Sequence, residues 1–105
     1  MTSPAFVPVL PVAELAAGQM RCVEVGALAV LVVHSRDGQF HAVNNVCTHA
    51  YARMDEGRLR GHRLICPLHG ASFDVRTGVV LGAPASAPLP SYPVRVVDGQ
   101  IEIQV

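Results

Sequence analysis

The apolar positions of this chain fall in short runs separated by glycine, proline and aspartate. Runs of this kind, bounded by turn residues, are typical of the strands of an all-β sandwich or barrel. The pattern predicts an antiparallel β-sandwich with strands at Phe6–Leu10, Met20–Val25, Ala27–His34, Gln39–Asn44, Ser72–Val75, Val79–Leu81, Tyr92–Val97 and Gln100–Val105. Two further short strands are expected within Gly57–Ile65, around a turn at Gly61-His62.

Turn and breaker residues refine this prediction. Pro8 lies inside the first run, which favours an edge strand because proline cannot donate a ladder hydrogen bond. Pro11–Ala17 is predicted to form one short helical turn that ends at Gly18. Asp98-Gly99 is a strong hairpin dipeptide between the last two strands. Gly82–Ser91, rich in proline, alanine and serine, is expected to be irregular.

Composition narrows the function classes. The formal net charge is zero and all eight basic residues are arginine, with no concentrated basic stretch. We therefore expect no nucleic-acid partner. No apolar run approaches the roughly 20 residues of a membrane span, and Met1–Ala5 has neither the positive start nor the apolar core of a secretory signal. These features predict a soluble cytoplasmic protein without membrane contact.

Two fragments carry the candidate chemistry, Cys47-Thr48-His49 and Cys66-Pro67-Leu68-His69, with sixteen residues between them. Two cysteines and two histidines can hold a tetrahedral zinc ion. The same four residue types bind a Rieske [2Fe–2S] cluster, in which two histidines replace two cysteines on one iron. Structural zinc sites usually pair like ligands on one element. Here each fragment brings one of each, which favours a two-iron cluster held between two loops.

The surrounding residues point to the same family. The stretch from Cys66 to Gly78 resembles the second cluster loop of Rieske-type ferredoxins, and Asn45–Ala50 resembles the first. The resemblance extends over essentially the whole chain. It implies one [2Fe–2S] cluster with Cys47, His49, Cys66 and His69 as ligands. It also implies a single Rieske domain over residues 1–105, in which a cluster-binding subdomain at about 45–80 is inserted into a base of 1–44 and 81–105.

The resemblance also bears on the reduction potential. High-potential Rieske proteins of quinol-oxidising complexes carry a disulfide between the two loops and place a serine and a tyrosine hydroxyl against the cluster. The matching positions here are Ala52 and Leu68 for the disulfide, and Ala71 and Phe73 for the hydroxyls. We therefore expect a low-potential centre. Pro84 matches the proline of a third loop that covers the cluster in this family.

The small form without a disulfide resembles the ferredoxin component of bacterial aromatic-ring-hydroxylating dioxygenases. The resemblance implies a one-electron carrier, not an enzyme, between a flavin-dependent NAD(P)H ferredoxin reductase and a terminal oxygenase. We expect a monomer, because a carrier must visit two partners in turn. Two alternatives stay open: the small Rieske subunit of a nitrite reductase or other oxidoreductase complex, and a structural zinc-binding interaction module.

The remaining notable residues have structural interpretations. The third cysteine, Cys22, is expected to be a buried core thiol. His34, His41 and His62 are interpreted as surface or strand residues rather than cluster ligands. Residues 47–78 carry five arginines against Asp55, Glu56 and Asp74; the arginines form either a solvated face or a docking patch for an acidic partner. These are Arg53, Arg58, Arg60, Arg63 and Arg76.

Overall fold

The computed structural model describes residues 5–48, 52–68 and 70–105. Over these residues the chain forms short strands joined by tight turns, with 3₁₀ turns at Val12–Glu14 and Met54–Glu56. The strands are β1 Val7–Pro11, β2 Met20–Val25, β3 Leu28–His34, β4 Phe40–Asn44, β5 Arg58–Arg60, β6 Arg63–Ile65, β7 Ser72–Asp74, β8 Val80–Gly82, β9 Ser91–Tyr92, β10 Val94–Val97 and β11 Gln100–Ile103. The prediction of an all-β antiparallel fold is confirmed.

The strands form three antiparallel sheets. Their orders are β1-β11-β10, β2-β3-β4-β9 and β5-β6-β7-β8. As predicted from Pro8, β1 is an edge strand, and its pairing with β11 is irregular between Pro8 and Leu10. The third sheet is built entirely from the segment between residues 58 and 82, so it forms from neighbouring parts of the chain.

Strand β3 separates two hydrophobic cores. Successive side chains of a strand point to opposite faces of the sheet, and Val30 and Val32 pack into one core while Leu31 and Val33 pack into the other. All four are fully buried. The first core, here called the base core, also contains Leu10, Leu15, Val25, Ala42, Ile101 and Ile103. The second, here called the site core, also contains Val43, Cys47, Ala52, Met54, Leu64, Cys66, Ala71, Phe73, Val75, Ala85 and Leu89.

A segment predicted as one strand forms parts of two strands in the structure. The sequence predicts a single strand over Tyr92–Val97, but the structure divides this segment at Pro93. On one side Tyr92 pairs with Ala42 of β4, and on the other Val94 pairs with Ile103 of β11. Pro93 has no N–H group to continue either ladder. The chain therefore moves from the second sheet to the first at this proline.

The prediction for Cys22 is also wrong. The sequence predicts a core thiol, but this residue is only half-buried. It lies on β2, the edge strand of its sheet, opposite Leu31 of β3. Charged side chains lie near it: burial raises the pKa of its thiol, and Asp55 adds to that rise while Arg53 opposes it. An edge position leaves one flank of the side chain without a neighbouring strand.

Within the described residues, no helix is long and apolar enough to span a membrane.

Candidate metal centre

The two predicted ligand cysteines begin loops of the same construction. The backbone N–H of Cys47 donates to the carbonyl oxygen of Ala52 at 3.0 Å, and that of Cys66 donates to the carbonyl oxygen of Ala71 at 2.7 Å. Each hydrogen bond spans five residues. Antiparallel pairs flank both loops at the same offset, Val46 with Arg53 and Ile65 with Ser72. The chain thus presents two matched loops, each starting with a cysteine.

The two thiols meet inside the site core. Cys47 is 4% exposed and Cys66 is 2% exposed, and their side chains are in hydrogen-bonding contact. Burial raises the pKa of the Cys66 thiol; the Leu68 backbone N–H opposes this rise and Cys47 adds to it. Two buried sulfurs side by side, one with an amide donor aimed at it, form a donor pair that a cationic metal centre would hold as thiolates. The cysteine half of the predicted ligand set therefore fits an iron–sulfur centre.

The predicted histidine ligands, His49 and His69, lie outside the described residues. Their described chain neighbours Thr48, Leu68 and Gly70 are exposed, whereas both cysteines are buried. The structure thus brings the two cysteines together and leaves the two histidine positions as predictions.

A 3₁₀ turn fixes the first loop through Asn45. The Asn45 side-chain amide donates to Asp55 Oδ1 at 2.8 Å, and the Asp55 backbone N–H donates back to Asn45 Oδ1 at 2.9 Å. The Met54 N–H donates to the Asn45 carbonyl oxygen at 2.7 Å. Burial acts to raise the pKa of Asp55, but the Asn45 amide and the Arg53 guanidinium outweigh it and lower that pKa. Asn45 is 1% exposed, so a buried amide determines where the Cys47 loop begins.

Asn45 positions the first ligand loop, a role that the sequence did not predict. The available signal was a polar side chain directly after a strand that ends in the core. Its partner Asp55 is ten residues away, and spacing alone does not pair them.

The strand after the second loop is held by an aspartate. Asp74 accepts from the backbone N–H of Arg76 at 2.9 Å and from its guanidinium at 3.0 and 2.7 Å. The Arg76 guanidinium holds the pKa of this carboxyl below its usual value, although burial opposes the effect. Ser72 lies on the same strand as Asp74, and its Oγ accepts from Arg63 Nη1 of β6 at 2.7 Å. These bonds keep β7 in place directly after the Cys66 loop.

A third segment closes over the first loop. Thr48 Oγ1 donates to the carbonyl oxygen of Ala87 at 2.7 Å. Ala85 and Leu89 are buried in the site core, and Leu89 N–H donates to the Gly78 carbonyl oxygen at 2.9 Å. Pro84 is exposed at the surface beside Ala85. This segment therefore joins both the Cys47 loop and the turn after β7.

The side chains around the two thiols are apolar. Ala52, Ala71 and Phe73 are buried in the site core with Cys47 and Cys66. None of these three side chains carries a hydroxyl or thiol that could donate to a cluster sulfur. The surroundings agree with the low potential expected from the sequence, which stays a prediction.

Comparison with known proteins identifies the family. The family model of the Rieske [2Fe-2S] domain matches residues 5–93. This chain belongs to the Rieske family. Membership implies one [2Fe–2S] cluster per chain and removes the zinc-module alternative.

Similar proteins are ferredoxins. The 3-phenylpropionate/cinnamic acid dioxygenase ferredoxin subunit of Escherichia coli (strain K12) is 38% identical over 96 residues, which cover 90% of this chain and 89% of that protein. The ferredoxin of carbazole 1,9a-dioxygenase from Nocardioides aromaticivorans IC177 superposes with a TM-score of 0.90 at 32% identity and covers 98% of both chains. A chain in the complex of reduced oxygenase and oxidized ferredoxin in carbazole 1,9a-dioxygenase matches with a TM-score of 0.88 at 33% identity, over 94% of this chain and 92% of that one. The chain is thus a Rieske ferredoxin, an electron carrier and not a catalyst.

The other histidines of this Rieske ferredoxin divide into two groups. His34 stacks on Phe40 with ring centroids 4.0 Å apart, and its Nδ1 is 2.8 Å from the Leu15 carbonyl oxygen. These contacts agree with the interpretation of His34 as a surface or strand residue. His41 and His62 instead lie together, with ring centroids 5.9 Å apart, next to Asp37. The sequence did not predict this second cluster of polar side chains.

Proposed function

We propose that Cys47 and Cys66 bind one iron of the cluster and that His49 and His69 bind the other. The matched five-residue closures of the Cys47 and Cys66 loops support this assignment, because they bring one cysteine from each loop to the same buried point. Each histidine follows its cysteine within the same loop. When bound, such a cluster supplies a one-electron couple whose potential lies above that of all-cysteine ferredoxins.

The carrier accepts electrons from a flavin-dependent NAD(P)H ferredoxin reductase and passes them to the terminal oxygenase of an aromatic-ring dioxygenase. The names of its relatives support the oxygenase as a partner: one relative is a dioxygenase ferredoxin subunit, and another forms a complex with its oxygenase. The bond-making step on the aromatic ring belongs to the oxygenase. These relatives are dioxygenase components, so we do not retain the nitrite reductase alternative.

The domain organisation follows from the same assignment. Residues 45–80 hold the cluster and are inserted into a base formed by 1–44 and 81–105. Strands β5, β6 and β7 of the third sheet lie within this segment, and β8, Val80–Gly82, lies at its boundary, which supports the division. The protein acts in the cytoplasm, where NAD(P)H is supplied, and acts as a monomer.

Electrons leave through the surface formed by the two ligand loops. Val46 and Leu68, which flank the cysteines, are 41% and 46% exposed. Apolar side chains this exposed next to a buried redox site suit brief contact with a partner. Arg58 and Glu56 line a surface groove beside Cys66, so side chains of both charges border the same region.

Anaerobic purification followed by metal analysis tests the ligand assignment. We expect two irons and two acid-labile sulfides per chain and a Rieske electron paramagnetic resonance signal. Ala substitution of Cys47, His49, Cys66 or His69 should abolish the intact cluster, whereas His34→Gln should retain it. Full iron content in a His49→Ala or His69→Ala variant would refute the ligand set.

Stopped-flow oxidation of the reduced protein by an aromatic-ring terminal oxygenase tests the carrier role. We expect single-electron transfer followed by turnover when a ferredoxin reductase and NADH are supplied. A protein that contains its full cluster but reduces no oxygenase of this class would refute the partner assignment and leave the ligand set intact.

A further inference from the structure

Asp37, His41 and His62 form a second group of metal-ligating side chains. One ligand atom from each residue lies within 4.8 Å of the other two. Asp37 lies in the turn between β3 and β4, His41 lies on β4, and His62 lies in the turn between β5 and β6. The group therefore joins the second sheet to the third.

The distances are close to those of a coordination shell. Metal–ligand bonds of about 2.0–2.2 Å at tetrahedral angles put neighbouring ligand atoms about 3.4 Å apart. His62 Nε2 and Asp37 Oδ2 are already 3.2 Å apart. Since the remaining pairs are within 4.8 Å, side-chain rotations that bring these atoms closer by at most about 1.4 Å complete the shell.

The three side chains are held in place by their own partners. Asp37 Oδ1 accepts from the Ser35 hydroxyl and from the Gln39 backbone N–H, which leaves Oδ2 directed at His62. Ser35 Oγ also lies 3.2 Å from His41 Nε2. The His62 turn is fixed because its carbonyl oxygen accepts from the Val75 N–H at 2.9 Å. Supporting hydrogen bonds of this kind orient the ligands of protein metal sites.

The charge of the group suits a divalent cation. The Ser35 hydroxyl lowers the pKa of Asp37 to about 2, so its carboxyl is a carboxylate at neutral pH. Burial lowers the pKa of His41, which favours the neutral imidazole that binds metals. The nearby Arg76 is neutralised by its ion pair with Asp74. One negative charge and two imidazoles thus face an incoming cation.

We propose that Asp37, His41 and His62 bind a first-row divalent transition metal, with zinc as the reference ion. Two imidazoles and a carboxylate are a common ligand set for such metals. The side chains of His62 and Asp37 are 31% and 46% exposed, so water completes the coordination. The bound ion links the β3–β4 hairpin to the β5–β6 turn. Its binding does not depend on the iron–sulfur cluster or on the proposed electron partners.

Isothermal titration of the cluster-loaded protein with zinc, after treatment with a chelator, tests the proposal. We expect one zinc per chain, with affinity reduced at least tenfold in His41→Gln, His62→Gln and Asp37→Asn. His34→Gln is the matched control because His34 lies on the same hairpin but outside the group. Undiminished binding in His41→Gln and His62→Gln would overturn the site, and so would the absence of zinc binding at millimolar concentration.

X-ray absorption at the zinc edge separates this site from the cluster ligands. Nitrogen and oxygen neighbours at about 2.0–2.2 Å, with no sulfur at about 2.3 Å, are expected for Asp37, His41 and His62. A sulfur shell would mean that zinc enters the cysteine site, which would refute the proposal. Zinc at five times its dissociation constant should raise Tm by about 4–8 °C in the unaltered protein and not in His62→Gln.

Discussion

The Ile65 carbonyl oxygen lies where a side chain on Gly57 would begin: a Cβ built at Gly57 would be 2.0 Å from it. The same Cβ would also be 3.2 Å from the Met54 carbonyl oxygen. The φ angle of Gly57 is −84°, which any residue adopts. Glycine is therefore needed here for space and not for conformational freedom. Because Ile65 directly precedes Cys66, a displacement of the Ile65 backbone would also displace the start of the second ligand loop.

Gly57→Ala should destabilise the protein and weaken cluster retention. The added methyl group must displace the Ile65 backbone, which is paired with Arg58 on one side and Ser72 on the other. Overpacking of this kind costs about 1–3 kcal/mol. Thermal unfolding and iron content per chain measure the two effects.

Gly26→Ala is the control for this substitution. Gly26 has a φ of +61°, and a methyl group added there would have no atom within 4 Å, so the change introduces only backbone strain of about 1 kcal/mol. Its turn joins β2 to β3, away from the ligand loops. We expect full iron content in Gly26→Ala. If Gly57→Ala also keeps full iron and an unchanged Tm, the steric argument is wrong.

The local elements of this fold could be predicted from the sequence, but their assembly could not. The apolar run of β3 and the Asp98-Gly99 turn are local signals, and both predictions are confirmed. The run alone does not reveal that Leu31 and Val32 face different cores. The switch of sheets at Pro93 depends on two long-range pairings that no local pattern contains.

The two polar centres show the same limit. Cys47 and Cys66 could be predicted to meet because the motif has a recognisable spacing. His41 and His62 are 21 positions apart; His41 lies on β4 of the second sheet and His62 lies in the turn between β5 and β6 of the third. Neither is flanked by a recognisable motif. Their proximity depends on how the third sheet packs against the second, which is a property of the tertiary structure.

Asp74→Asn should lower stability at neutral pH and remove part of the acid sensitivity. The folded pKa of Asp74 lies below its ordinary value of about 3.9. Its contribution is therefore present above about pH 4 and is lost as the pH falls through the folded pKa. Removing an ionised partner of three hydrogen bonds costs about 1–3 kcal/mol at pH 7. The Tm from circular dichroism, recorded anaerobically at one heating rate, measures the loss.

The difference between Asp74→Asn and the unaltered protein should vanish in acid. Below the folded pKa both side chains are neutral, so the two Tm curves converge as the pH falls. Asp98→Asn serves as control because Asp98 is exposed in a hairpin turn, where substitution changes stability by less than about 0.5 kcal/mol. A constant gap between Asp74→Asn and the unaltered protein from pH 7 down to pH 2 would contradict the assignment.

Arg58→Gln and Arg60→Gln should slow association with the terminal oxygenase at low salt. Both side chains are exposed on β5, and within the described residues neither forms an ion pair, whereas Arg53 and Arg76 pair with aspartates. Unpaired surface charges steer encounter, so the association rate should fall roughly 2–10-fold for the double variant. Stopped-flow rates between about 10 mM and 0.5 M salt measure the effect, which screening should remove at the upper end.

Arg95→Gln provides the comparison for the arginine variants. Arg95 lies on β10 of the first sheet and pairs with Glu102, so its substitution removes a positive charge from the base instead of the third sheet. We expect its association rate to stay close to that of the unaltered protein. Salt-independent rates, or an equal loss in Arg95→Gln and Arg58→Gln, would exclude steering by the third sheet.

Ala71→Ser should raise the midpoint potential. Ala71 is fully buried in the site core with both thiols, and its carbonyl oxygen closes the Cys66 loop. A hydroxyl there can donate to a sulfur whose negative charge grows on reduction. One such bond is worth about 1.5 kcal/mol, which corresponds to roughly 60 mV for a one-electron couple. Starting from the low end of the Rieske range, near −150 mV, the variant should move upward by about that amount.

Ala42→Ser separates this effect from the cost of burying a hydroxyl. Ala42 is 2% exposed but lies in the base core, on the opposite side of β3 from the thiols. Ala42→Ser should therefore lower stability to a similar extent as Ala71→Ser and leave the midpoint potential unchanged. Protein-film voltammetry gives both midpoints. An equal shift in Ala42→Ser and Ala71→Ser, or a midpoint of the unaltered protein above about +100 mV, would show that the apolar surroundings of Cys47 and Cys66 do not set the potential.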